Sequence, residues 1–138
     1  MTELPQKALS IRQPWVWAIM HAGKRIENRP RRFHYRGPIC LHGSLYKPKE
    51  HDIYAVDECL DEVFPDDRWS VCEWRPEIMA QNRGGIIGTA EIVDCIEQSD
   101  SPWFFGPYGL VLENVQPVDF IPVKGALGLF DWRTRMGL

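Results

Sequence analysis

Lys24, Glu27 and Arg29 bring two cations and a carboxylate into one six-residue stretch. A carboxylate can accept from an exocyclic amine of a base, such as cytosine N4, adenine N6 or guanine N2. Arginine offers a planar fork to a phosphate or a base edge, and lysine a mobile point charge. In an extended segment Glu27 and Arg29 share a face, which Arg25 joins, while Lys24 points the other way unless a turn redirects it. This is the chemistry of a nucleotide reader. The same residues could instead form an internal ion pair, Glu27 with Arg29 or Lys24, that pins a helix to a sheet.

Trp15 and Trp103 each follow a proline, and both are candidates for stacking on an unpaired base, worth about 1–3 kcal/mol per base. Tyr35 and Tyr108 come second. The other fate open to these tryptophans is the core or its rim. Arg31, Arg32, His34 and Arg36 alternate with Phe33 and Tyr35, a pattern that suits a nucleic-acid backbone path giving affinity rather than sequence choice. The other reading of that loop is a solvated face paired with the acidic insert at about 48–82. Ser10 and Gln13 could reach a base edge or cap the helix that follows.

Other chemistries find no support. Cys40, Cys59, Cys72 and Cys95 include no Cys-x-x-Cys pair, and no histidine lies three to five residues from another. No metal site is expected, and the cysteines read as small buried residues. Gly84-Gly85 lacks the Lys-Ser/Thr of a phosphate loop, so no nucleoside-triphosphatase and no cofactor are expected.

These side chains must be positioned by one ordinary domain, 138 residues with 44% hydrophobic positions and six tryptophans. No apolar run approaches the ~20 residues of a membrane helix, and the first residues lack a signal-peptide pattern; a cytoplasmic monomer is expected. Net charge is −3, but it is segregated. Residues 1–48 carry nine basic against two acidic groups, and residues 49–81 three against ten. The basic third is where a polyanion could bind.

Ala8–Ile11 reads as a strand. A two-turn helix follows, begun by Pro14 and stopped by Gly23. Arg25–Arg29 is extended, and Pro38–His42 is a buried strand. Residues 48–64 form a helix with Ile53, Val56, Leu60 and Val63 on one stripe. A second helix over 66–75, with Trp69 and Cys72 inward, is interrupted at Pro76. This acidic insert, about 48–82, reads as a structural cover. Strands are expected over 86–95, 110–115, 117–123 and 127–132, with 101–109 a Pro/Gly/aromatic loop. The fold class is α+β: a small barrel of about five or six mixed strands with peripheral helices, one domain over 1–138.

The runs Leu9-Ser-Ile-Arg-Gln-Pro-Trp15, Ala22-Gly-Lys-Arg-Ile-Glu-Asn-Arg29 and Tyr35-Arg-Gly-Pro-Ile-Cys-Leu-His-Gly-Ser44 resemble the ASCH (activating-signal-cointegrator homology) family of PUA-like β-barrels. Lys24, Glu27 and Arg29 match its Gly-x-Lys-x-x-Glu-x-Arg signature, and Ala22 replaces the first Gly. Gly85–Cys95, Ser101-Pro-Trp103 and Pro122–Gly125 extend the resemblance over most of the chain.

The resemblance implies an RNA- or nucleic-acid-binding fold with a cleft beside the signature. Some bacterial members are amidohydrolases that deacetylate N4-acetylcytidine, and at least one member cuts RNA. The deacetylases carry Thr where this chain has Glu27, and their later Glu has no counterpart found here.

The expected function is a nucleic-acid-binding module for RNA, single-stranded nucleic acid, or a single base or nucleotide. Its core is Lys24, Glu27, Arg29 and Trp103, with Trp15, Ser10 and Gln13 beside them and Arg31, Arg32 and Arg36 as the phosphate path. The alternatives are a metal-independent hydrolase of a modified nucleoside or of RNA, using Lys24 and Glu27, and a protein-interaction module using the acidic insert. On the binding reading, Glu27→Ala and Arg29→Ala abolish ligand binding and leave the melting temperature almost unchanged. A collapse in melting temperature marks the structural ion pair instead.

Overall fold

The computed structural model describes residues 3–66 and 71–136, with backbone alone at 71, 72, 79 and 80. The elements are β1 (Lys7–Ile11), α1 (Trp15–His21), β2 (Ile26–Arg29), β3 (Gly37–Gly43), α2 (Glu50–Val63), α3 (Val71–Ala80), β4 (Gly85–Ile96), β5 (Tyr108–Pro122) and β6 (Leu129–Asp131), with a final 3₁₀ turn at Thr134–Met136. The six strands make one mixed sheet in the order β2-β5-β4-β3-β1-β6. Only β1 and β3 run parallel; the other neighbours are antiparallel. The sheet curls into a half-barrel, as the small α+β barrel expectation required.

Leu9, Ile11, Ile39, Leu41, Ala90, Ile92, Leu110 and Leu112 fill the inside of the curl beneath Val16 and Ile19 of α1. Burial of each such Leu or Ile contributes ~1.5–3 kcal/mol. Ala8 and Cys40 point the opposite way, into a second cluster with Ile86, Val123, Phe130 and Trp132. The central strands β1 and β3 are therefore buried on both faces, which explains their unbroken apolar runs. Among the described cysteine side chains, Cys40, Cys59 and Cys95 are buried free thiols, in keeping with their expected role as small buried residues.

The acidic insert covers α1 more than the strands. Ile53, Val56, Cys59 and Leu60 of α2 meet Trp17, Ala18 and Ala22 of α1, together with Trp74, Ile78 and Trp103. The Trp17 and Trp74 rings stack at 5.6 Å. The wet face of α2 carries the charge, as the stripe pattern required.

Two expectations fail. α3 does not stop at Pro76 but runs through it to Ala80. Proline costs that helix a hydrogen bond, yet full burial of Trp74 and Ile78 on either side holds the turn together. Trp69, expected to face inward, lies outside the described residues, as does the Cys72 side chain. The two strands expected over 110–123 are one, β5. Pro117 sits opposite Gly88, next to a register shift in the β4–β5 ladder, where the missing N–H is tolerated. Among the described residues no helix is long and apolar enough to cross a membrane.

Gly88 fixes how closely α1 lies on the sheet. A Cβ there would meet Met20 Sδ and the Gln116 carbonyl oxygen at 2.7 Å. Gly88→Ala is expected to cost about 1–3 kcal/mol by overpacking, read as a lower urea midpoint with an unchanged slope.

Candidate functional site

The site begins where α1 ends. Gly23 adopts φ +74°, and the chain turns so that both Ala22 N–H and Lys24 N–H donate to the Ala18 carbonyl, at 2.9 and 3.1 Å. Ala22 itself has φ −117°, so alanine replaces the signature's first glycine without strain. The turn redirects Lys24 onto the Glu27 side. Its Nζ is buried, donating to the Ile26 carbonyl and, at 3.3 Å, to Glu27 Oε1.

β2 then places Glu27 and Arg29 on one face, as the period of two requires. Arg29 Nη2 lies 2.9 Å from Glu27 Oε2 and also donates to the Ser10 carbonyl at 2.9 Å. β2 and β1 are not neighbours in the sheet; the arginine spans the gap left by the incomplete curl. Arg25 does not join the group. It precedes the strand, and its Nη1 donates to the carbonyl of Ile19 in the last turn of α1, a group that a helix end leaves unpaired, and to that of its neighbour Lys24.

A cavity of about 700 Å³ opens above this ion cluster, lined by Ser10, Trp15, Lys24, Glu27 and Arg29, and also by Arg12, Asn28, Ser44, Phe105 and Leu127. Trp15 and Phe105 meet edge to face at 5.5 Å and form an aromatic wall. Phe105 is 54% exposed, and Leu127 at the rim 98%.

Five of the seven base-site candidates thus converge, and two do not. Trp103 is buried in the cluster under α2 and lends the site only its backbone: its carbonyl accepts from Asn28 Nδ2 at 2.9 Å. Gln13 is fully buried, and its Oε1 accepts from Trp17 N–H at 3.0 Å. It caps α1.

The basic loop stands apart from the cavity. Arg32 pairs with Glu97 at 3.1 Å and Arg36 with Asp94 at 3.9 Å. These carboxylates belong to β4 and the residue after it, not to the acidic insert. Arg31 is exposed.

Phe105, Arg12 and Asn28 were not foreseen. Asn28 Oδ1 accepts from the Phe105 and Gly106 N–H groups at 2.7 and 3.1 Å, so one amide on β2 clamps the loop that presents the aromatic wall. Arg12 stacks over the Tyr46 ring at 4.3 Å, and Tyr46 donates to Asp52 Oδ2 at 2.7 Å. The available signal was an aromatic placed beside Gly106 in a loop.

Residues 9–121 match the family model for the ASCH domain, and the chain belongs to that family. It is 26% identical over 137 residues to Activating signal cointegrator 1 of Homo sapiens, a match covering 85% of this chain and 20% of that protein. The chain therefore spans about a fifth of the length of this curated relative.

The ion pair exists, and it floors a cavity. Glu27→Ala would leave the buried Lys24 ammonium without its carboxylate, a loss of about 3–5 kcal/mol. The expected near-constant melting temperature is therefore replaced by a large drop.

Burial lowers the Lys24 pKa from its ordinary 10.5, with Glu27 opposing the shift. Between the two values the unfolded chain binds the extra proton, so this group makes stability rise with pH. Cys40 and Cys59, pushed up from 9.0 to about 11 by burial, act oppositely above pH ~9. The stability of the wild type minus that of Lys24→Met is expected to grow as pH rises toward 10.5. A pH-independent difference in urea titrations would show that Lys24 keeps its ordinary pKa.

Proposed function

We propose that the cavity holds one unpaired base and its phosphate from single-stranded RNA, making this chain an RNA-binding module. The observation that carries the reading is the union of charge and aromatic surface in one opening. Arg12, Lys24 and Arg29 face it against the single carboxylate of Glu27, beside the Trp15–Phe105 wall. The net positive charge suits a phosphate, and the wall suits a base face. The cavity volume falls in the range of small-ligand sites. ASCH domains are generally associated with RNA binding, which supports the same reading.

Glu27 accepts hydrogen bonds from both cations, so its role toward a ligand is to hold them in place. Pro30 lines the cavity, and Arg31 follows it directly. The strand's backbone would leave along Arg31, with Arg32 and Arg36 partly neutralised by Glu97 and Asp94.

Phe105→Ala is the cleanest test, because the side chain is exposed and the fold does not rest on it. Short single-stranded RNA and matched DNA would be titrated at two salt concentrations, following tryptophan fluorescence. The variant is expected to lose about 1–3 kcal/mol of RNA affinity, a roughly 5- to 150-fold rise in Kd, and the wild-type Kd to rise with salt. Binding unaffected by Phe105→Ala, or by salt, would remove the cavity from the interface.

A further inference from the structure

His42, which the binding reading does not use, forms a second constellation with Ser10 of the cavity wall. They are paired on neighbouring strands, β3 and β1, in register with one another. His42 Nδ1 lies 2.9 Å from Ser10 Oγ, and Nε2 lies 2.7 Å from the Val123 carbonyl oxygen. A carbonyl only accepts, so Nε2 carries the ring proton and Nδ1 presents its lone pair to the serine hydroxyl. The Phe130 ring meets the imidazole edge to face at 5.7 Å. The histidine is fully buried and its orientation is set from three sides.

Ser10 is not sealed in with it. The serine lines the ion-floored cavity and also a second one, of about 720 Å³, that contains His42, Ser44, Lys124 and Gly125. Gly125 lies against the pair: a Cβ there would meet His42 Cε1 at 2.8 Å and Ser10 Oγ at 3.2 Å. The residue that covers the dyad is thus the one type that leaves it undisturbed. Arg29 Nη2 donates to the Ser10 backbone carbonyl, which ties this point of β1 to β2.

We propose that Ser10 is a nucleophile activated by His42, and that the chain transfers an acyl group from an ester to Ser10 and then to water. This goes beyond nucleic-acid binding and does not depend on it. Nucleophile, base and an orienting acceptor stand in one hydrogen-bonded line, the geometry that covalent catalysis requires.

In the first step Ser10 Oγ bonds to the acyl carbon while its proton moves to His42 Nδ1. The tetrahedral oxyanion then collapses. The bond to the alcohol oxygen breaks, and the alcohol leaves with the proton from Nδ1. Water enters next, giving its proton to Nδ1 and its hydroxyl to the acyl carbon. The bond to Oγ breaks, and Oγ recovers the proton. Burial lowers the His42 pKa from 6.5, with the Val123 carbonyl opposing and the nearby Arg135 charge adding to the shift. The ring is therefore neutral and able to accept at pH 7.

The test is covalent labelling of the whole chain with a fluorophosphonate at pH 7.5, the adduct located by peptide mass spectrometry. Ser44, on the wall of both cavities, is the internal control. Labelling at Ser10 and not at Ser44, slowed about 100-fold or more in His42→Gln, is the expected result. Burst release of p-nitrophenol from p-nitrophenyl acetate should accompany it and vanish in Ser10→Ala. An unlabelled Ser10 in the wild type, or equal labelling of the two serines, would overturn the proposal whether or not His42→Gln folds. Neither probe contains a nucleotide, so the result is independent of RNA binding.

Discussion

The Glu27 carboxylate is the constraint on which the site depends. It receives Lys24 on one oxygen and Arg29 on the other, and both cations are anchored a second time, to the Ile26 and Ser10 carbonyls. A buried ammonium is costly unless it is paired and hydrogen-bonded. That requirement ties the turn after α1 to β2, and β2 across the open side of the sheet to β1. The sheet does not close through backbone pairing between these strands. A guanidinium joins them instead, and a side-chain bridge leaves room beside it that a ladder would have filled.

One cluster can thus serve stability and recognition together. An ion network at the mouth of an incomplete barrel provides charge already oriented, with its desolvation met in folding rather than in ligand capture. The walls follow the same economy. Asn28, next to Glu27 on the strand, holds the loop from Trp103 to Gly106 by three hydrogen bonds. Four consecutive residues of β2, from Ile26 to Arg29, set core, charge, loop and seam in turn.

Those four residues also show what the sequence could reveal. The shared face of Glu27 and Arg29 follows from strand period, and the redirection of Lys24 from a glycine placed at the helix end. Contacts set by distant partners were invisible. Trp103 and Phe105 have the same parity in one loop, yet one is buried and the other exposed, because the clamp from Asn28 lies more than seventy residues away in sequence. Parity assigns Arg25 to the cluster, but an unpaired carbonyl in the last turn of α1 takes it instead. Gln13 offered two equal chemistries, capping and base contact, and only the position of the Trp17 N–H separates them. The helix through Pro76 and the unbroken β5 are cases of tertiary burial and ladder irregularity outweighing local preference.

The acidic insert leaves and re-enters the sheet at one point. Gly84 N–H donates to the Gly43 carbonyl at 2.7 Å, and Gly43 pairs with Gly85. Topologically, the two helices are an enlarged hairpin loop between β3 and β4. The entropy of closing such a loop grows only slowly with its length, and the pinned ends isolate the strand register from whatever lies between them. The insert is consequently a place where evolution or an engineer can lengthen, shorten or exchange chain without retuning the barrel. One obligation survives any exchange: whatever replaces the helices must still shelter Trp17, against whose ring Trp74 of the insert stacks.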